Sequence, residues 1–504
     1  MHGLDPHVCY RALRTRDARF DGRLFVGVTS TGVYCRPVCP ATTAHFENCR
    51  FFPSAAAAQA AGFRPCLRCR PEAAPEVGSW RGTSNTVSRG LALIAEGELD
   101  GTEAGIDALA ERLGVGGRQL RRLFRQHLGA SPVAMAQTRR VLLAKQLVHE
   151  TRLPMAEIAL AAGFGSVRRF NETFRHLFHR APSELRRRGT AALPEGTVAV
   201  AGVTVRLRYR PPYDWLSVLS HLRTRAIDGI EHVSDDAYSR IVLQDGHLAA
   251  VTVVHLPDRQ SLAATIRSPC IRVLPAIVAR IRRVFDLGAD VTAIGTHLAR
   301  DPLLAPLVAA RPGLRTPGSW DGFELAVRAI LGQQITMEAA RRLVVKLARE
   351  CGSPVPAAQR GDPELTLAFP SAAQVASANL EVLAMPDARR RTLAALAQAA
   401  LADPRLFEPL ETVEKTVARL RTIRGIGDWT AHYIALRAGS EPDAFPATDV
   451  GLLRGAAHAD GRRPTPTELR ARAERWRPWR AYAAQHLWTA DAASRSARKK
   501  EPAS

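Results

Sequence analysis

The sequence predicts a multidomain chain, mainly α with α+β parts, and three observations predict it. Its 504 residues exceed one ordinary core, and roughly 100–200 residues per domain gives three to four domains. Two close cysteine pairs near the N-terminus mark a small metal-stapled α/β module. An internal repeat of Gly-turned helix pairs follows, and amphipathic helix fills most of the last third.

The cysteine module is expected over residues 1–78, closing at the stretch PEAAPEVGSWRG. Cys35 and Cys39 have three residues between them, Cys66 and Cys69 two, and twenty-six separate the pairs. That spacing fits a closed tetrahedral Zn2+ site. Arg36, Arg50, Arg64, Arg68 and Arg70 crowd positive charge around the thiolates, a field that stabilises thiolate and attracts phosphate. Cys9, Cys49, Cys270 and Cys351 have no paired spacing and read as inert or buried.

Residues 85–188 hold the repeat. LAERLGVGGRQLRRLFRQHLGASP from Leu109 aligns with IALAAGFGSVRRFNETFRHLFHRAP from Ile158, matching Gly114 to Gly163, Phe124 to Phe174 and Pro132 to Pro182. Each copy reads as a short apolar helix, a Gly turn and an Arg-studded second helix, the helix-turn-helix plan. The recognition helices are expected at Gly116–Gln126 and Ser166–Leu177, with Arg118, Arg121, Arg122, Arg168 and Arg169 facing DNA.

RRRGTAALPEG reads as a linker. Beyond it, residues 198–311 alternate Val, Ile and Leu with polar residues, with a DG turn between two runs, so a small antiparallel sheet with a helix or two is expected. From 312 to 492 the pattern is helical, and 493–504, ending SRSARKKEPAS, is expected to be a disordered tail.

Within the helical part, LRTIRGIGDWTAHYIALR sets Gly425 and Gly427 between two amphipathic helices, so backbone amides can face a DNA phosphate without obstruction. That is a helix-hairpin-helix clamp. Asp449 follows some twenty residues on, in TDVGLL, which also reads as a helix start. A carboxylate beside a flipped nucleotide can stabilise positive charge on the deoxyribose or orient water. Trp429 and Tyr433 share a helix face, and with Trp488 they are candidate walls for an extruded base.

A formal net charge of +22, mostly from Arg, favours a polyanionic partner over a small neutral one. Double-stranded DNA leads. The N-terminus MHGLDPHVCYRALRTRD lacks an apolar signal core, and no apolar run approaches roughly 18 residues, so no membrane is expected. A cytoplasmic, nucleoid-associated protein follows, in a reducing compartment where metal explains the cysteine pairs better than disulfides.

Three resemblances cover almost the whole chain. GVYCRPVCPA and FENCRFFPSAAAAQAAGFRPCLRC make residues 1–78 similar to the Ada-type zinc domain. Residues 85–188 resemble the paired helix-turn-helix of AraC-type activators. PPYDWLSVLSHLRTRAI, RVFDLGAD, ARPGLRTPGSWDGFELAVRAILGQQ, GIGDWTAHYIALR and ERWRPWRAYAAQHLW make residues 198–492 resemble AlkA-type DNA glycosylases of the helix-hairpin-helix superfamily. The first resemblance implies that Cys35 is both zinc ligand and acceptor of a methyl group from a DNA methylphosphotriester. It also implies a switch that raises affinity for promoter DNA, with RNA polymerase as the partner in activation. The third implies that Asp449 is catalytic, that Trp429, Tyr433, Trp488 and Gln333 line the base pocket, and that alkylated purines of the 3-methyladenine type are excised. Bifunctional relatives place a Schiff-base Lys two residues after the second hairpin Gly, where this chain has Trp429, which implies hydrolysis without lyase chemistry. Thr448 and Val450 depart from that pattern, where an acidic and an aromatic residue are expected. The alkylguanine methyltransferase part of Ada is missing, and Ile271 follows Cys270 where that site has His.

Overall fold

The computed structural model describes residues 5–75, 85–100, 105–186, 202–457 and 461–500. Past Arg186 the expected linker lies outside the described residues, as do the end of the cysteine module from residue 76 and residues 501–504. Two compact units result. One comprises Met1–Tyr209, Gln244–Ala249 and Leu256–Arg280, the other Arg210–Leu243, Ala250–His255 and Ile281–Ser504.

The first unit begins with a four-stranded sheet of β1 (Phe25–Val28), β2 (Val33–Cys35), β3 (Cys49–Phe52) and β4 (Arg64–Pro65), in the order β3-β1-β2-β4. β1 pairs antiparallel with β2 and β3, and β2 pairs parallel with β4. This register sets the end of β2, carrying Cys35, beside the loop that follows β4 and carries Cys66 and Cys69. Tyr34 and Phe25 bury one face against Phe63 and the Ala-rich helix Ala55–Ala60.

The two helix pairs run Gly105–Arg112 with Gly117–Leu128, and Met155–Ala161 with Val167–Phe178, separated by the long helix Pro132–Glu150. Gly114 and Gly163 both take positive φ, 72° and 85°, so each copy turns through a conformation that favours Gly. Phe124 and Phe174 are fully buried at equivalent positions, while Pro132 and Pro182 each open the following helix. The repeat in sequence is thus a repeat in structure.

A five-stranded sheet follows, with β5 (Val203–Arg208), β6 (Glu231–Val233), β7 (Ala237–Gln244), β8 (His247–Leu256) and β9 (Ser261–Arg267) in the order β5-β9-β8-β7-β6. Asp245 and Gly246, both at positive φ, make the expected DG turn. β5 lies in the first of the two compact units. There the Glu150 carboxylate accepts the Arg206 backbone N–H at 3.0 Å and the Gln146 amide donates to the Arg206 carbonyl at 2.8 Å. Edge-strand groups that would face water are satisfied by the helix Pro132–Glu150.

The second unit is helical around a core that includes Val327, Ile330, Leu347, Leu393, Leu396, Leu420 and Ile434. Its last helix spans Arg480–Lys500. This corrects the expected tail: through residue 500 the segment is helical, since Ala, Ser, Arg and Lys continue a helix begun in the core. No helix among the described residues is long and apolar enough to cross a membrane.

Candidate functional site

In the first unit, Cys35, Cys39, Cys66 and Cys69 bring their four sulfurs within 4.8 Å of one another. Sulfurs bound tetrahedrally to zinc at about 2.3 Å stand in this range, so the cluster fits the metal. Its chemistry also asks for a cation: hydrogen bonding among the thiols pushes Cys35 up and Cys66 down, because neighbours this close cannot all ionise uncompensated. The site is a single Zn2+ centre. Backbone amides support it, Arg36 N–H donating to Cys69 Sγ at 3.3 Å and Arg68 N–H to Cys66 Sγ at 3.4 Å. Three of the cysteines are buried and Cys35 is only half-buried.

The arginines around this centre are not one field. Arg36 is buried and paired with Asp21 through both carboxylate oxygens, and it also donates to the Cys69 carbonyl at 3.1 Å. It orients the loop rather than facing solvent. Arg70 is held by Glu72 at 3.0 Å and Glu150 at 3.2 Å. Arg50 and Arg68 remain exposed, Arg50 lying over the rings of Phe52 and Phe63. Lys145, from the helix between the two helix pairs, is buried against Glu72 at 2.6 Å and donates to the Cys66 carbonyl at 3.0 Å. The sequence reading missed this link, whose only trace is a Lys at an otherwise apolar helix position. Arg118, Arg121, Arg122, Arg168 and Arg169 are all exposed on the second helix of each pair, and Arg168 shares its charge with Glu172 at 2.8 Å.

In the second unit the hairpin joins Val413–Arg421 to Asp428–Arg437. A Cβ on Gly425 would collide with the Thr392 side chain, and its φ is +88°. Gly427 differs: a Cβ there would meet nothing within 4 Å. Packing therefore does not explain Gly427.

Asp449 caps the helix Val450–Gly455, its Oδ1 accepting the Leu452 N–H at 2.9 Å. Oδ1 also accepts the Trp488 indole N–H at 2.8 Å, and Oδ2 the Trp429 indole N–H at 2.6 Å. Three donors fix the carboxylate and leave acceptor capacity on Oδ2. Asp449, Trp429, Tyr433 and Trp488 line a cavity of about 630 Å³. Trp429 and Tyr433 stack on each other, 5.3 Å between centroids and 6° between planes, while Trp488 meets Tyr433 edge-on at 6.4 Å. The first two therefore form one continuous wall rather than two opposing ones. Arg437 lies 5.9 Å over Tyr433 and 5.2 Å over Trp488. Burial, with Arg225 adding repulsion, pushes its guanidinium down to about 10 even as the Tyr433 contact opposes the shift.

Gln333 stands outside this lining. Its amide donates to the Gly425 carbonyl at 3.4 Å and to Thr430 Oγ1 at 3.3 Å, so it braces the hairpin, turned there by the bend that follows Gly332. Thr448 and Val450 are exposed beside Asp449, Val450 at 55%. Deeper in the cavity wall, Arg240 and Arg328 pair with Glu231 and Glu324, and Tyr238 donates to Glu231 at 2.6 Å. Glu231 and Arg240 come from two strands and Glu324 and Arg328 from one helix four residues apart, and the sequence reading did not join them.

Four family models match along the chain. Residues 8–72 match the metal binding domain of Ada, 109–188 a helix-turn-helix domain, 204–321 the AlkA N-terminal domain, and 327–481 the HhH-GPD superfamily of base excision DNA repair proteins. A probable bifunctional transcriptional activator/DNA repair enzyme AlkA of Mycobacterium tuberculosis is 41% identical over 482 residues, 95% of each chain. DNA-3-methyladenine glycosylase 2 of Escherichia coli is 35% identical over 287 residues, 56% of this chain and 95% of that one. Among solved structures, a 3-methyladenine DNA-glycosylase from Archaeoglobus fulgidus shares the fold at a TM-score of 0.50 and 20% identity, over 57% of this chain and 98% of its own. With near-complete coverage at that identity, and with a zinc-binding cysteine quartet, paired helix-turn-helices and a hairpin glycosylase fold in a single sequence, the chain belongs to the family of bifunctional transcriptional activator/DNA repair enzymes of the AlkA type.

Proposed function

We propose that the chain senses DNA methylphosphotriesters at Cys35, activates transcription through its paired helix-turn-helices, and excises alkylated purines of the 3-methyladenine type by hydrolysis at Asp449. The observation that carries the enzymatic reading is the carboxylate of Asp449, held by two indole N–H groups at the wall of an aromatic cavity. DNA enters by its backbone at Gly425 and Gly427, and the damaged nucleotide turns into the cavity. As the C1′–N bond breaks, positive charge grows on the sugar and the ionised Asp449 stabilises it. Water then adds its oxygen to C1′, gives up a proton, and the free base leaves. Trp429 occupies the place of a Schiff-base Lys, so strand cleavage does not follow.

Zinc, when bound by the four cysteines, lowers thiol pKa and keeps the sulfurs nucleophilic at neutral pH. Cys35 is the ligand with solvent access, which suits it to receive the methyl group. Its sulfur forms the new C–S bond while the methyl C–O bond breaks and the phosphodiester departs as an anion. No ready reverse route exists, so the acceptor acts once. Loss of one negative charge at the centre reduces repulsion from the DNA backbone. The Lys145 contacts to Glu72 and to the Cys66 carbonyl join that centre to the helix between the two readers. We further place the protein in the cytoplasm at the nucleoid, with RNA polymerase as its partner at promoters.

The test is single-turnover release of methylated adenine from duplex DNA by the full chain. Asp449→Asn should keep duplex affinity and lose excision by several orders of magnitude, because it removes an interaction made mainly in the transition state. Release at the wild-type rate would leave the second unit as a binder of damaged DNA only.

A further inference from the structure

A second cavity, about 380 Å³, opens within the first unit beside Cys69. Five arginines line it: Arg68 and Arg70 from the zinc loop, Arg206 and Arg208 from β5, and Arg259 from the turn before β9. Glu150 and Asp258 are the only acidic residues of the lining. Glu150 is already taken by Arg70 at 3.2 Å and Arg206 at 3.3 Å. Arg68, Arg208 and Arg259 have no ion pair among the described residues. Burial pushes the Arg208 guanidinium down, and Arg36, Arg206 and Arg70 push it the same way against the opposing pull of Asp21, so cations crowd this position. An independent observation agrees. Ser261, 1% exposed, lines the same cavity, and its Oγ has no hydrogen-bond partner.

Three unpaired guanidinium groups and an unsatisfied hydroxyl call for one ligand with several acceptor oxygens. A carboxylate offers two, whereas a phosphate offers three or four in the geometry a guanidinium fork matches. The volume lies in the range of small-molecule sites and leaves room for what the phosphate is attached to. We propose that this cavity binds a phosphate group through Arg68, Arg208, Arg259 and Ser261. The phosphate belongs to a DNA strand or to a free phosphorylated small molecule. Because the arginines come from the zinc loop and from the sheet, the bound group ties β5 and β9 to the loop that carries Cys66 and Cys69.

The zinc-loaded full chain is titrated with inorganic phosphate against NaCl of equal ionic strength, reading thermal unfolding, and with duplex DNA at several salt concentrations. Each titration is repeated with Arg259→Gln, an exposed position, and with Arg208→Gln and Ser261→Ala. Phosphate should raise the unfolding midpoint of the wild type where NaCl does not. Either Arg variant should weaken phosphate binding by at least about tenfold. If DNA is the source, the Arg variants also lower the slope of log K against log salt by about 0.9 for each lost phosphate contact. If a free phosphate is the source, that slope stays unchanged. Equal phosphate stabilisation in wild type and all three variants, or none in the wild type with an unchanged DNA slope, overturns the site.

Discussion

Trp488 donates its indole N–H to Oδ1 of Asp449 at 2.8 Å across 39 positions of sequence, and Trp429 does the same to Oδ2 from the hairpin helix. Aromatic residues expected to be walls are therefore also donors that fix the carboxylate. Arg437 lies against Tyr433 and Trp488, so a cationic base in this cavity meets rings already engaged by a cation.

Replacing Trp488 with Phe keeps an aromatic surface and removes one charge-assisted hydrogen bond, worth about 1.5–3 kcal/mol. Single-turnover excision should fall roughly ten- to a hundredfold, with duplex affinity unchanged. An unaltered rate with weaker binding would make the residue a wall only.

Removal of zinc should unfold the N-terminal module, because the metal contributes folding free energy directly. Cys39→Ala, Cys66→Ala and Cys69→Ala should each lower zinc content and protease resistance of residues 5–75. Cys35→Ala should abolish methyl transfer, with the peptide holding residue 35 gaining a methyl group in the wild type and none in the variant by mass spectrometry, while base excision persists. Stoichiometric zinc in a folded Cys66→Ala protein would contradict this account.

Glu72→Gln leaves the buried Lys145 ammonium with its carboxylate partner gone, a change that typically costs about 3–5 kcal/mol. Urea unfolding of the first unit should register that loss. Glu72→Gln paired with Lys145→Met should recover most of it, since no buried charge then remains unpaired.

Acid should destabilise the second unit in two stages. Burial, aided by Arg311 and opposed by a hydrogen bond with the Leu307 backbone, pushes the His486 imidazole from 6.5 down to about 4. Its contribution is complete above pH 6.5 and is lost as pH falls through about 4. Burial would raise Glu324, yet Arg240 and Arg328 overcome it and lower the carboxyl from 4.5 to about 2. That contribution is complete above pH 4.5 and lost as pH falls through about 2. Within each window stability should decline by up to about 1.4 kcal/mol per pH unit per proton. Urea midpoints from pH 7 to 3 would show it, and His486→Gln should flatten the upper stage.

Replacing Arg168 and Arg169 with Ala should weaken promoter binding and lower the salt slope by about 0.9 for each lost phosphate contact. Fluorescence anisotropy across a salt series measures it. Because Arg168 shares its charge with Glu172, Arg169→Ala alone should account for the larger share.

The sequence by itself determined the order of modules, the four zinc ligands, both helix pairs with their turns at Gly114 and Gly163, the DG hairpin and the two hairpin glycines. Each rests on short-range spacing, turn chemistry or repetition, which a linear chain displays directly. Other features were settled by tertiary structure alone. Gln333 went to the hairpin instead of the cavity beside Asp449, Arg36 turned inward to Asp21, β5 joined the first unit, and the last helix ran on through residue 500. So did the pairing of Lys145 with Glu72 and of both indoles with Asp449. These depend on where a side chain finds a buried partner tens of residues away. Polar groups withdrawn from water must be satisfied by whatever the fold brings near, and the spacing of residues along the chain carries no record of that.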